Sequence, residues 1–130
     1  MGRLFRRRRP DPPVGGLYAS PSEDGLFLIM KVLAVDDAGI HVRMYSNRYP
    51  AVPTEPPDDL ELLGMGSDFA KRMERGEHVE PPGRLGIGHL PLSRAAFNRT
   101  ERHLLGVVAV DPAELEGYEM WREAGGGAWA

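Results

Sequence analysis

The chain has 130 residues, 42% of them hydrophobic and 27% charged, a composition that excludes full disorder and corresponds to one folded domain. It contains no cysteine, which excludes disulfides, thiolate nucleophiles and cysteine-based zinc sites. No apolar run approaches the ~20 residues that a membrane-spanning helix needs. We therefore expect a cytoplasmic protein with no membrane partner.

The net charge of −3 is unevenly distributed along the chain. Residues 1–9 hold five arginines and no acid, so this arm carries +5; the rest has 11 bases and 19 acids, or −8. Such an arm contacts nucleic acid or another acidic partner, or it is a solvated terminus. We favour the solvated terminus, because no aromatic ladder accompanies the arginines as in single-strand binders. The alternative, a nucleic-acid-associated function, would use Arg6, Arg7, Arg8 and Arg9.

Proline and glycine divide the chain into a basic arm and linker (1–15, predicted to be disordered), one domain (16–124) and a flexible tail (125–130). Within the domain, residues 16–20 suit a short strand and residues 21–25 suit a turn.

The segment 26–49 predicts a β-hairpin. Residues 26–35 are apolar on both alternating faces, which is typical of a strand covered on two sides. Residues 36–39 (Asp-Asp-Ala-Gly) suit a reversal of three to five residues, with Gly39 at a position of positive φ. From residue 40 to 49 the pattern alternates, so that Ile40, Val42 and Met44 would point to one side of the sheet.

Shorter elements follow in the second half of the chain. Ser67 would cap a helix over 68–75, residues 84–90 suit a strand ended by Pro91, and Ser93 would cap another short helix. Residues 103–110 suit a strand. A longer helix would begin at Asp111, because Pro112 and Glu114 complete a favourable N-terminus, and the glycines at 125–127 would end it.

Strands followed by helices, without βαβ alternation, indicate an α+β fold with an antiparallel sheet. The hairpin sequence resembles the second and third strands of SH3-like and Tudor-like barrels. We therefore expect a small half-barrel with two or three short helices, the longest near the C-terminus. The Gly-Ile-Gly-His-Leu-Pro-Leu-Ser segment (86–93) and the Glu-Leu-x-Gly-Tyr-x-x-Trp helix (114–121) resemble small bacterial proteins of this kind, and the opening of the chain is loosely similar to bacterial immunity proteins.

The polar side of the hairpin is the candidate binding site. It would carry His41, Arg43, Tyr45 and Asn47, with Lys31 on the partner strand, as an outward-facing row of donors around one ring. Arginine and tyrosine are enriched at interface hot spots, and Arg43 could hold a carboxylate or phosphate. The competing interpretation is an ordinary solvated sheet face.

No sequence motif points to a catalytic site, a metal or a cofactor. The four histidines lack metal-ligand spacing, and we interpret His89 as a hydrogen-bonded core or edge residue. Neither Gly-x-Ser-x-Gly nor a phosphate loop is present. The Leu115, Tyr118 and Trp121 stripe is interpreted as the seam that packs the last helix onto the sheet.

These observations favour a non-catalytic protein-interaction module that binds through the polar face of residues 26–49. An immunity- or antitoxin-like form of this hypothesis rests on residues 50–82, whose eight acids and three bases suit a basic nuclease toxin. A further alternative is a small hydrolase-type enzyme with His41 or His89 as base, which requires an ionisable neighbour within hydrogen-bond reach and a concave pocket.

Overall fold

The computed structural model describes residues 10–62 and 88–126. Within them lie five strands: β1 (Gly16–Pro21), β2 (Phe27–Asp36), β3 (Gly39–Tyr49), β4 (Leu90–Leu92) and β5 (His103–Val107). Helix α1 (Arg94–Arg99) precedes β5, and a 3₁₀ turn (Pro112–Leu115) leads into helix α2 (Glu116–Glu123). The α+β class predicted from the sequence is confirmed.

The strands form one antiparallel sheet in the order β4-β3-β2-β1-β5. Successive strands from β1 to β4 are neighbours, and β5 returns to pair with β1. The long β2–β3 hairpin lies at the centre, with register shifts between Leu28 and Met30 and between Val32 and Ala34. Within the part of the chain that the structure describes, two strands are therefore left at the edges, the three-residue β4 and the longer β5.

Each face of the sheet is covered by a different part of the chain. The front face is the side on which α1 places the fully buried Phe97, against Tyr18, Met30 and Val32. The back face carries Leu17, Ala19, Ile29 and Tyr45, and Val52, Leu60 and Leu62 from the segment 50–62 pack on it. Burial on both sides explains why β2 is apolar at nearly every position.

The hairpin turn is tighter than the sequence suggests. Asp36 pairs with Gly39, so that the loop has two residues, and the Asp36 carboxylate accepts hydrogen bonds from the backbone N–H groups of Ala38 and Gly39. Gly39 has a φ of 149°, and a Cβ there would lie 2.1 Å from the carbonyl oxygen of Leu92 in β4. A close backbone approach is thus a second reason for glycine at this position.

The prediction of a strand ending before Pro91 is wrong at its C-terminal boundary. Strand β4 runs from Leu90 to Leu92, and Pro91 lies in it opposite His41. Proline is tolerated there because β4 is an edge strand, whose outer side needs no N–H donor. The helix predicted over 68–75 and most of the predicted strand 84–90 lie outside the described residues.

Three other boundaries differ from the sequence interpretation. Strand β5 ends at Val107 instead of residue 110. The last helix begins as a 3₁₀ turn. The linker residue Gly15 is buried, and its N–H donates to the carbonyl of Val32 while its own carbonyl accepts from Val108. In the same linker, Asp11 forms an ion pair with Arg94, so the domain begins before residue 16.

Candidate functional site

The carboxylate of Glu114 links the C-terminal segment to the predicted binding face. Its Oε1 lies 2.9 Å from Nζ of Lys31, and its Oε2 lies 2.9 Å from a terminal nitrogen of Arg43. Oε1 also accepts from the backbone N–H of Asp111, as a helix-capping glutamate does. Burial opposes ionisation of Glu114, but the hydrogen bonds from Asp111, Lys31 and Arg43 outweigh it and lower its pKa. Arg43 was predicted to hold a carboxylate or phosphate of a binding partner; in the folded chain it is paired with Glu114 of the same chain.

A second polar chain runs beside this cluster through two histidines. Nε2 of His41 lies 2.9 Å from Oδ1 of Asp36, and Nδ1 of His41 lies 2.8 Å from Nε2 of His89. The hydroxyl of Tyr118 donates to the other carboxylate oxygen of Asp36 at 2.7 Å. Residues from the end of β2, from β3, from the segment before β4 and from helix α2 thus form one continuous hydrogen-bonded chain.

The contact with Asp36 places a proton on one ring nitrogen of His41. Burial raises the pKa of Asp36, but the hydrogen bonds from His41 and Tyr118 dominate and lower it to about 2, so the carboxylate is ionised at neutral pH. Nε2 of His41 must then carry the proton that Asp36 accepts. The facing nitrogens, Nδ1 of His41 and Nε2 of His89, share a single proton, so that one of them donates and the other accepts. Burial, and secondarily the nearby His41, lowers the pKa of His89 to about 4 and keeps this ring neutral.

Aromatic rings of α2 close over the histidines. The Tyr118 and Trp121 rings lie 4.6 Å and 4.8 Å from the His41 ring, measured between centroids, and Trp121 also lies 5.6 Å from His89. The exposed fractions of His41 and His89 are 0% and 1%. The interpretation of His89 as a hydrogen-bonded core histidine is confirmed.

The expectation that the polar side of the hairpin faces outward is wrong. Lys31, His41 and Tyr45 are buried, Arg43 is largely so, and Asn47 is half-buried. The alternation along β3 is as predicted, but the C-terminal segment covers Lys31, His41 and Arg43. The segment 50–62 covers the remainder of the row.

The last two residues of this row, Tyr45 and Asn47, are covered by backbone contacts from the segment 50–62. Tyr45 forms a β-bridge with Leu62, and burial raises the pKa of its hydroxyl to about 12. The amide of Asn47 donates to the carbonyl of Asp59 and accepts from the N–H of Glu61. Both residues therefore have partners within the chain.

The buried layer has the components of a proton relay, but in this conformation it serves the fold. No solvent reaches the two imidazole rings, and both carboxylates are ionised and paired with internal donors. Nε of Arg43 is buried without a hydrogen-bond partner. Charges removed from water in this way must be paired, and here the pairs connect the C-terminal segment to the sheet.

The described surface offers a different candidate site along β5. This strand pairs with β1 on one side and lies at the edge of the sheet. Leu104 and Val107 are 54% and 60% exposed, and Val108 directly after the strand is 41% exposed. The sequence predicted the strand but gave no indication that it lies at an edge.

The sequence identified one row of polar residues on the back face but not the side chains that contact them in the fold. The row consists of Lys31, His41, Arg43, Tyr45 and Asn47. Asp36 was interpreted only as a turn residue, Glu114 as a cap, and Tyr118 and Trp121 as an apolar seam. Glu114 contacts Lys31, and the other three contact His41. The signal that could have suggested the contact was the uncompensated Lys31 within an apolar strand, which requires a carboxylate if it is buried.

Other predicted features are not part of this layer. Arg6, Arg7, Arg8 and Arg9 lie outside the described residues. Among residues 10–62 and 88–126, no group of three or more His, Asp or Glu is arranged to hold a metal ion. The same two ranges contain no helix with the length and apolar character needed to cross a bilayer. Comparison with protein-family models, curated proteins and solved structures finds no match for this chain.

Proposed function

We propose that the protein is a non-catalytic interaction module that binds a protein partner along the edge strand β5. The observation that carries this proposal is the chemistry of residues 103–110 (His-Leu-Leu-Gly-Val-Val-Ala-Val), which contain no acid, no Lys or Arg and no proline. Exposed edge strands are normally protected by such residues against pairing with other chains.

The two edges of the sheet differ in this respect. Strand β4 is three residues long and contains Pro91, whereas β5 has five residues and only a bulge, where Leu105 is the extra residue opposite Leu17 and Tyr18. A partner strand would find unpaired backbone groups beside Leu104 and Val107. Strand addition of this kind is a recurrent mode of protein recognition.

We also propose that the sheet is an SH3-like half-barrel and that the protein is an immunity-like module. The order β4-β3-β2-β1-β5, with a long bulged hairpin at its centre, supports an SH3-like half-barrel. The net charge of −8 over residues 10–130, to which residues 103–110 contribute nothing, supports an immunity-like module whose acidic surface outside β5 meets a basic protein in the cytoplasm.

Affinity capture from the native host with three forms of the full chain tests the proposal. Val107→Lys places a charge on the β5 edge, whereas Met120→Lys places the same charge on α2, where Met120 is 56% exposed. We expect the wild type and Met120→Lys to retain the same partner and Val107→Lys to lose it. Equal retention by all three forms, or no retained protein of any kind, a second copy of this chain included, would contradict the proposal.

A small hydrolase with a histidine base is a second candidate, favoured by the Asp36–His41–His89 chain. A substrate could reach His41 only if α2 moved away from the sheet. Hydrolysis of activated esters by the full chain, compared with His41→Gln, tests this candidate. Indistinguishable rates would exclude it.

A further inference from the structure

We infer that the partner seated on the β5 edge is a second copy of this chain, paired antiparallel to it across a twofold axis. This inference rests on the proposed function, because it uses the same edge. It is carried by the register of β5 on β1 and by the exposed side chains that this register brings to one face.

The register places Leu104 and Val107 on the same face of the sheet. Leu104 pairs with Tyr18 and Val107 pairs with Gly16, and these two β1 residues are two positions apart. Residues three positions apart would normally point to opposite faces, but the bulge at Leu105 restores the same side. Both side chains project on the front face, where they are more than half exposed.

An antiparallel pairing of two β5 strands makes these residues complementary to each other. If the twofold axis passes between Leu105 and Gly106, Leu104 of each copy lies opposite Val107 of the other. Two identical Leu–Val pairs then extend across the axis on the front face. A twofold interface requires this kind of self-complementarity.

The charge pattern also favours a second copy over an unrelated strand. In this pairing, residues 103–108 of one copy would lie opposite residues 103–108 of the other. This range contains no acid, lysine or arginine, so the paired region has no such charged side chain. Arg102 would lie opposite Ala109, and its guanidinium already donates to the carbonyls of Phe97 and Thr100. An unrelated partner would be selected by charge or shape, and this row offers neither.

The mass of the full chain in solution tests the inference, measured by light scattering coupled to size-exclusion chromatography over a wide concentration range. We expect the wild type and Met120→Lys to have the mass of two 14.4 kDa chains and Val107→Lys to have the mass of one. A monomeric wild type, or a Val107→Lys form that remains dimeric, would overturn the inference.

Cysteine cross-linking tests the register, because the natural chain contains no cysteine. We expect Leu104→Cys and Val107→Cys chains to form a disulfide when mixed and neither to do so alone, since only the mixed pair lies within bridging distance. Cross-linking of either variant alone, or none in the mixture, would overturn the pairing. A monomeric wild type that still retains a host protein lost by Val107→Lys would overturn the second copy alone and leave the proposed function standing.

Discussion

His41 and His89 share a single hydrogen bond although 48 positions separate them in the chain, with Nδ1 of the first 2.8 Å from Nε2 of the second. Their rings are stacked, with centroids 5.0 Å apart. Because only one proton can lie between the two nitrogens, the hydrogen bond cannot form when both of them carry a proton. This relationship makes the closed C-terminal segment sensitive to pH and to its polar partners.

The first prediction concerns the pH dependence of folding that His89 confers. Its pKa is about 4 in the folded chain against 6.5 for an unperturbed histidine. Between these values the unfolded chain binds a proton that the native chain does not, so this contribution is complete above about pH 6.5 and is lost as the pH falls through about 4. We expect the free energy of unfolding to decrease by roughly 3 kcal/mol across this window.

Urea unfolding of the wild type and His89→Gln at a series of pH values checks this expectation. Glutamine does not titrate, so the variant should be less stable at neutral pH but should lack the decline between the two pKa values. Asp36 contributes in a separate window, because its stabilisation is present above pH 3.8 and is lost as the pH falls through about 2. If the free energies of unfolding of the wild type and His89→Gln changed in parallel with pH, the assignment of this pH dependence to His89 would be contradicted.

The second prediction concerns Glu114, whose removal leaves two cations without an anionic partner, although Lys31 still donates to the carbonyl of Ala109. Lys31 is 4% exposed and the Arg43 side chain 12% exposed, so neither charge is readily solvated. We expect Glu114→Gln to lower the free energy of unfolding by about 3 kcal/mol, as for other buried pairs that lose one member. Arg48→Gln is the matched control: its ion pair with Asp24 is 44% exposed on each side, and such pairs contribute less than about 1 kcal/mol. Similar losses for both variants, measured by urea unfolding, would contradict the prediction.

The third prediction concerns the hydroxyl of Tyr118, which is one of two side-chain donors that hold Asp36 ionised. We expect Tyr118→Phe to cost about 1.5–3 kcal/mol of stability, because the lost hydrogen bond is made to a charged group. The pKa of Asp36 should rise as well, which carboxyl-carbon NMR titration measures. An unchanged Asp36 pKa would show that this hydroxyl does not stabilise the carboxylate.

The fourth prediction compares two glycines that both have positive φ. At Gly39 a Cβ would overlap the Leu92 carbonyl, whereas at Gly25, with φ of 82°, a Cβ meets nothing within 4 Å. Gly25→Ala should therefore cost only the backbone strain of about 1–2 kcal/mol. Gly39→Ala should cost more than this and displace β4, which hydrogen exchange of the β3 and β4 amides would detect. Equal thermal stabilities would contradict the close approach.

The hairpin shows what local pattern determines. Alternation from Ile40 onward and the Asp-Asp-Ala-Gly reversal indicate strand, turn and the side to which each residue points, because strand geometry has a period of two. The capping residues Ser93 and Asp111 likewise mark where helical segments begin, since their side chains and neighbours satisfy free backbone N–H groups locally. These features depend on residues within a few positions of one another.

The amino-acid sequence alone thus determined the class of fold, the hairpin and the identity of its polar row. Only the tertiary structure decided whether that row meets water. Lys31 and Glu114 are 83 positions apart, as His41 and His89 are 48, and no periodicity encodes such pairings. Burial of a strand face depends on which distant segment packs on it, so the same pattern is compatible with an open binding surface and with the closed polar layer found here.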